Sequence, residues 1–259
     1  MNRHQALALL LGAAPLAACD KNAVQALPLA PIPTSSIKFF NFGVSAPQVN
    51  FYANETKMTA IFSTGSEAPT GVAYGGAGNG GLYSALTPGQ YLLTGRIADT
   101  TSSVHNLSID TLHATLADGK AYSFYLSGIY DATAKLVDGF AVEDPILAQR
   151  DYSVAYVRFV NAIYNANPLT LYAKNTDTTV TKDSIAVGGQ VAYKAAGAFT
   201  AVPNGVYNLF TRYTGSTRNV ISRANVSFIR GHMYTIGARG DTTRTSGTFA
   251  PALDNTANQ

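Results

Sequence analysis

"IKFFNFGVSAPQVNFYA", residues 37–53, and "VRFVNAIYNANPLTLYA", residues 157–173, are two versions of one segment, 120 positions apart. Phe39 aligns with Phe159, Asn41 with Asn161, Ala46 with Ala166, and Tyr52-Ala53 with Tyr172-Ala173. A fixed internal offset is the signature of a duplicated structural unit. The match continues: Val72-Ala73-Tyr74 meets Val191-Ala192-Tyr193, "LTPGQYLL" at 86 meets "VPNGVYNL" at 202, and "LADGKAYSFYLSG" at 116 meets "FIRGHMYTIGARG" at 228. The second copy is eight residues shorter, the difference falling in loops.

Both copies repeat with period two. Val157, Phe159 and Asn161 share one face and Arg158 and Val160 the other, while Tyr122, Phe124 and Leu126 alternate with Ser123 and Ser127. Side chains of a strand alternate between its two faces, so these segments are strands. "TPG", "DGK", "PNG" and "RGH" supply turns between them, and no sustained helical stripe follows the amino-terminal region. About seven short strands per copy predict an all-β chain of two tandem immunoglobulin-like β-sandwich domains. The expected boundaries are repeat 1 at 37–140, a linker at 141–154, repeat 2 at 155–250 and a polar carboxy-terminal tail at 251–259. Ile37, Phe40 and Phe42 make the opening strand of repeat 1 unusually apolar.

Outward from the repeats, the amino terminus reads as an address. A weakly basic start, thirteen uncharged residues from Ala6 to Ala18 and small residues before Cys19 follow the plan of a secretory signal, here 1–18. Thirteen residues make roughly 20 Å of helix, short of the roughly 30 Å hydrocarbon layer. Leu16-Ala17-Ala18-Cys19 resembles the bacterial lipobox, which implies lipidation of Cys19, the single cysteine, and anchoring through its acyl chains. A single cysteine forms no internal disulfide. Residues 19–36, with Pro28, Pro31 and Pro33, form an extended tether. The expected location is the extracytoplasmic side of a bacterial cell envelope.

"AYVRFVNAIYNANPLTLYAKN" followed by "GHMYTIGARG" resembles the bacterial domain of unknown function 4397 (DUF4397), which occurs in tandem in secreted or lipid-anchored envelope proteins. The resemblance implies a β-sandwich on the envelope and brings no catalytic residues with it.

Charge excludes one class of partner. With 18 Lys and Arg against 15 Asp and Glu and a charged fraction of 13%, about half the usual 25%, the chain carries no clustered basic surface for nucleic acid. The glycine run 76–81 satisfies G-x-G-x-x-G, but "LYSALTPG" is no helix and the second copy has "KAAGAFT" in its place, so it reads as a loop insertion. His105 and His113 are eight apart and would share a face on an unbroken strand, yet a third metal ligand is missing and Asp110 points away from His113. Glu55, Glu67 and Glu143 stand in turns or the linker, and no serine occupies a G-x-S-x-G elbow. Asn41 and Asn161 read as clasps on loop backbone, and Tyr52, Tyr172, Tyr91 and Tyr207 as sheet aromatics.

These readings lead to a non-catalytic binding or structural module without cofactor or metal, whose partner is an envelope protein or a glycan besides the membrane. Two alternatives make checkable demands. An adhesin requires an exposed Arg239-Gly240-Asp241 loop, and a hydrolase requires paired aspartates in a pocket.

Overall fold

The computed structural model describes residues 32–258 apart from 60, 61, 64, 65, 178 and 180–182, so the signal, Cys19 and nearly all of the tether lie outside the described residues. Repeat 1 comprises β1 (Ser35–Asn41), β2 (Val49–Ala53), β3 (Thr56–Lys57), β4 (Phe62–Ser63), β5 (Ser66–Glu67), β6 (Gly76–Ala77), β7 (Ser84–Leu86), β8 (Gly89–Ile97), β9 (Ser108–Leu116), β10 (Ala121–Asp131) and β11 (Leu136–Asp144). Repeat 2 comprises β12 (Val154–Asn161), β13 (Leu169–Asn175), β14 (Ser184–Val191), β15 (Ala195–Ala196), β16 (Thr200–Pro203), β17 (Gly205–Tyr213), β18 (Ile221–Phe228), β19 (Met233–Arg239) and β20 (Ala252–Asn258). The described residues are all-β, folded as two tandem β-sandwiches of the immunoglobulin-like architecture.

Strand order is the same in both. One sheet of repeat 1 runs β11-β10-β1, with β6 and β7 on the far side of β1, and the facing sheet runs β3-β2-β8-β9. Repeat 2 matches it with β20-β19-β12, flanked by β15 and β16, facing β14-β13-β17-β18. The first strand of each repeat lies parallel to the penultimate one, Phe39 opposite Phe124 and Phe159 opposite Ile236. Each sandwich has its own core. Phe39, Phe51 and Phe124 fill the first, Phe39 stacked on Phe51 at 5.2 Å and edge-on to Phe124 at 6.3 Å. Phe159, Leu171, Leu209 and Ile236 fill the second. Each such side chain contributes about 1.5–3 kcal/mol by leaving water.

Asn41 and Asn161, fully buried at matched positions, hold loops against the first strands. Asn41 Nδ2 donates to the carbonyls of Pro47 and Val72 at 3.1 and 2.9 Å. Asn161 Nδ2 donates to Val191 O at 3.2 Å, and its Oδ1 accepts from Ile163 N at 3.1 Å. Tyr91 and Tyr207 each donate a hydroxyl to a carbonyl four residues back, Thr87 and Pro203.

Two expected boundaries need correction. The tail at 251–259 is instead strand β20, paired with β19 from Arg239↔Ala252 to Met233↔Asn258, with Leu253 in the core. Asp254 pairs with Arg239 and Asn258 meets Lys38 of repeat 1, which is why so polar a segment still forms a strand. The linker at 141–154 is shorter than expected, because β11 continues to Asp144, opposite Ala121.

Candidate ligand cleft between the repeats

The sheets containing β1 and β12 pack against each other by their outward faces. Phe40, Phe42, Tyr125 and Phe140 from repeat 1 meet Val160 and Ala162 from repeat 2 in a third apolar cluster. Tyr125 stacks between Phe40 at 4.6 Å and Phe140 at 5.1 Å. Offset stacks of this kind add about 0.5–1.5 kcal/mol per pair beyond burial. The apolar opening strand thereby acquires a cause: both of its faces are covered.

At the edge of this seam the two repeats exchange cations. Lys38 and Arg158 occupy the same position in the duplicated strand, and each reaches the last strand of the other repeat. Lys38 Nζ donates to Ala257 O at 2.5 Å and to Asn258 Oδ1 at 3.2 Å. Arg158 donates to Glu143 O at 2.8 Å, to Thr235 Oγ1 at 3.0 Å and to the Asp144 carboxylate. Asp144 and Asn258 are also equivalents, opposite Ala121 and Met233. The aromatic neighbours correspond as well, Tyr83 lying 4.1 Å from Lys38 Nζ and Phe199 5.3 Å from the Arg158 guanidinium. Asp144 also accepts from Tyr83 Oη and Ser123 Oγ, both at 2.7 Å. Burial is the main cause that lowers Lys38, to about 8; the Asp144 charge opposes the shift and Arg158 adds to it. Burial, then the Asp144 charge, pushes the Tyr83 phenol upward.

The Lys38 side opens into a cleft of about 650 Å³. Its floor is Phe40, Phe42 and Ala77, one wall is the Asp254–Ala257 stretch of β20, and the other is the glycine run and Leu82. Gly78–Gly81 forms a 3₁₀ turn in which Asn79 and Gly80 have positive φ, and Asn79 Nδ2 ties the turn to Met58 O and Ser84 Oγ, both at 2.9 Å. No helix follows it, so it is not a dinucleotide fingerprint. Where repeat 1 has six residues between Ala77 and β7, repeat 2 has three between Ala196 and β16, and the insertion supplies the cleft wall. Arg223 Nη1 donates to Leu253 O at 2.7 Å on the same strand. Two cations thus hold carbonyls four residues apart, Leu253 and Ala257, along β20, with Asn255 midway between them. At the cleft's end Arg239 pairs with Asp254 and lies 4.7 Å over Tyr74. Gly75 permits this approach: its φ is +77°, and a Cβ there would stand 2.8 Å from Arg239 Cζ.

The adhesin's required loop is not exposed. Arg239 is engaged as above, Gly240 has φ +115° with Ala250 O where a Cβ would be, and Asp241 is 5% exposed. Asp241 accepts from Asn165 Nδ2, Thr243 N and Thr243 Oγ1, and is held below the usual carboxylate range chiefly by the Thr243 hydroxyl. The tripeptide lies inward because its aspartate is needed to fold its own loop.

His105 sits in the turn before β9 and His113 within it, so the unbroken strand that would align them does not exist. Among the described residues no three His, Cys, Asp or Glu side chains gather to hold a metal. Two aspartates do interact at one edge of repeat 1. Asp110 is buried against Gly139, which raises its pKa to about 6, with the Asp138 charge adding to the shift. Asp138 is itself held by Tyr193 Oη at 2.9 Å and Lys194 Nζ at 2.7 Å. Two carboxylates so engaged, one packed on backbone and one ion-paired, are poorly placed to share a substrate. Lys38 and Arg158 are the seam residues that the sequence reading missed; the signal is a cation at the same place in two apolar strands.

No family model and no curated protein matches the chain. Two solved structures align over most of its length. A family 26 carbohydrate-binding module, CBMbc of Amy13K from Eubacterium rectale in complex with maltoheptaose, is 12% identical over 87% of this chain and 96% of that one, with a TM-score of 0.23. A Bacteroides eggerthii protein proposed to act in cell adhesion is 12% identical over 89% and 97%, with a TM-score of 0.22. Superpositions this loose carry no functional inference.

Proposed function

We propose that this chain is a non-catalytic, lipid-anchored module of a bacterial cell envelope, resembling tandem DUF4397 proteins, that binds an envelope protein or glycan in the cleft between its repeats. The observation that carries the reading is the cleft itself. Its volume of about 650 Å³ lies within the range of ligand sites, roughly 300–1,000 Å³, and it combines an aromatic floor, an amine and a strand edge contributed by both repeats. A seam already closed by stacked aromatics and an ion pair makes a rigid frame for such a site. Cys19 supplies the anchor and residues 20–34 the reach, the tether ending two residues earlier than the sequence suggests because β1 begins at Ser35.

A photo-reactive residue at Leu82, on the cleft wall and 62% exposed, tests the binding reading in intact cells. Adducts to a discrete protein or glycan are expected there and not from the same probe at Ile129, outside the cleft and 47% exposed. Identical adducts from both positions, or none from Leu82, refute it. For the anchor, Cys19→Ala abolishes metabolic palmitate labelling; labelling that persists refutes that part alone.

A further inference from the structure

The second cavity lies at one end of repeat 2. Lys38, near the start of β1, bonds Asn258, which lies opposite the start of β19. Because β19 runs parallel to β12, the loop after β19 and the β17–β18 hairpin stand at the end away from where the chain enters β1. Between them lies a space of about 500 Å³.

Its lining is unlike that of the cleft. Arg218 and Arg244 border it, no carboxylate does, and five hydroxyl side chains, those of Tyr213, Ser216, Ser222, Thr242 and Thr245, stand around an apolar base formed by residues such as Ile221 and Pro251. Among the described residues Arg218 has no ion pair. Arg244 stands 3.5 Å from Asp241, but the aspartate faces inward and the Arg244 side chain is 55% exposed. A third cation lies behind the hairpin, where Arg212 Nε bonds Asn219 Oδ1 at 2.8 Å. The 240–251 loop is fixed before any ligand arrives: Asp241 N donates to Phe249 O at 2.9 Å and Thr242 N to Asn165 Oδ1 at 3.1 Å. In repeat 1 the place of the 240–251 loop is taken by the short turn between β10 and β11, where the Asp131 carboxylate accepts from Thr133 N and Ala134 N.

Guanidinium groups match the planar fork of carboxylate and phosphate oxygens, and preformed sites that mix apolar surface with a few convergent polar groups suit small ligands. We propose that this cavity binds a small hydroxylated ligand by its carboxylate or phosphate group, with Arg218 and Arg244 as the charged contacts. The site is separate from the cleft, and its test does not depend on that reading.

Titration calorimetry of the full chain with glucuronate, glucose 6-phosphate and glucose at low ionic strength tests it. Both anionic sugars should bind, with glucose at least about tenfold weaker, and their affinity should fall as salt rises. The tighter anion identifies the group recognised. The Arg218→Ala/Arg244→Ala variant should lose about tenfold or more for the anions at an unchanged melting temperature, and the single variant Arg218→Gln, on an exposed loop, should lose part of it. Equal binding of glucose and the anions, no binding of any probe, or unaltered affinity in the double variant would overturn the proposal.

Discussion

The two sides of the seam have the same geometry and different chemistry. At one, Arg158 meets the Asp144 carboxylate; at the other, Lys38 meets Asn258, an amide, and the Ala257 carbonyl. The first is a closed ion pair with both side chains at most 2% exposed. The second is a buried amine whose counter-charge, Asp144, belongs to its own repeat and is already paired with Arg158, and it borders the cleft. Duplication supplied two equal positions. Divergence made one a lock and left the other beside an opening.

That contrast can be broken experimentally. The largest effect is expected from Asp144→Ala, which strands a buried guanidinium and should cost about 3–5 kcal/mol in urea unfolding, against about 1 kcal/mol for Asn258→Ala. Equal losses would mean that the two sides are energetically alike. Next, Phe40→Ala should cost about 3 kcal/mol by opening the aromatic stack, whereas Val206→Ala, 38% exposed on an outer sheet, should cost less than about 1 kcal/mol. If the two agree, the seam contributes little.

Protonation sharpens the comparison further. Lys38 has a folded pKa of about 8 against an ordinary 10.5, so between those values the unfolded chain binds the proton and the folded chain does not. Stability attributable to this residue therefore rises with pH across that window. Lys38→Met should abolish the rise, and Asn258→Asp should shift it to higher pH; unfolding midpoints measured from pH 7 to pH 10 decide. The smallest effect is at Asp110, whose folded pKa is raised to about 6. Its contribution is fully present below the ordinary carboxylate pKa and is lost as pH rises through about 6. Asp110→Asn should therefore stabilise the protein at pH 7 by about 1 kcal/mol and leave it unchanged at pH 3.5. A gain of the same size at both values would assign the effect to packing instead of charge.

Much of the fold was legible because strands write their two faces into alternate residues. Phe39 and Phe159 announced inward faces, and the repeat identified equivalent strands without reference to space. β20 was not legible: "ALDNTAN" carries one large apolar residue, and Asp254 and Asn258 meet their partners, Arg239 and Lys38, only in the folded chain. Nothing in the sequence around Arg239-Gly240-Asp241 says whether the loop is exposed; the hydrogen bonds that turn Asp241 inward involve Asn165, 76 positions away. The glycine run was recognised as an insertion, but its place beside Lys38 depends on the turn closing over β1.

From the sequence alone came the duplication, the sheet-forming character of each copy and the apolar outward face of the first strand. Period-two alternation says which side of a strand a residue occupies and nothing about what covers that side. Only the tertiary structure decided that the outward faces of the β1 and β12 sheets meet each other, that Lys38 bonds a residue 220 positions away, and that a cleft remains where the two copies differ in loop length. Those contacts join segments with no local relation, so their energetics appear only once both sheets are in place.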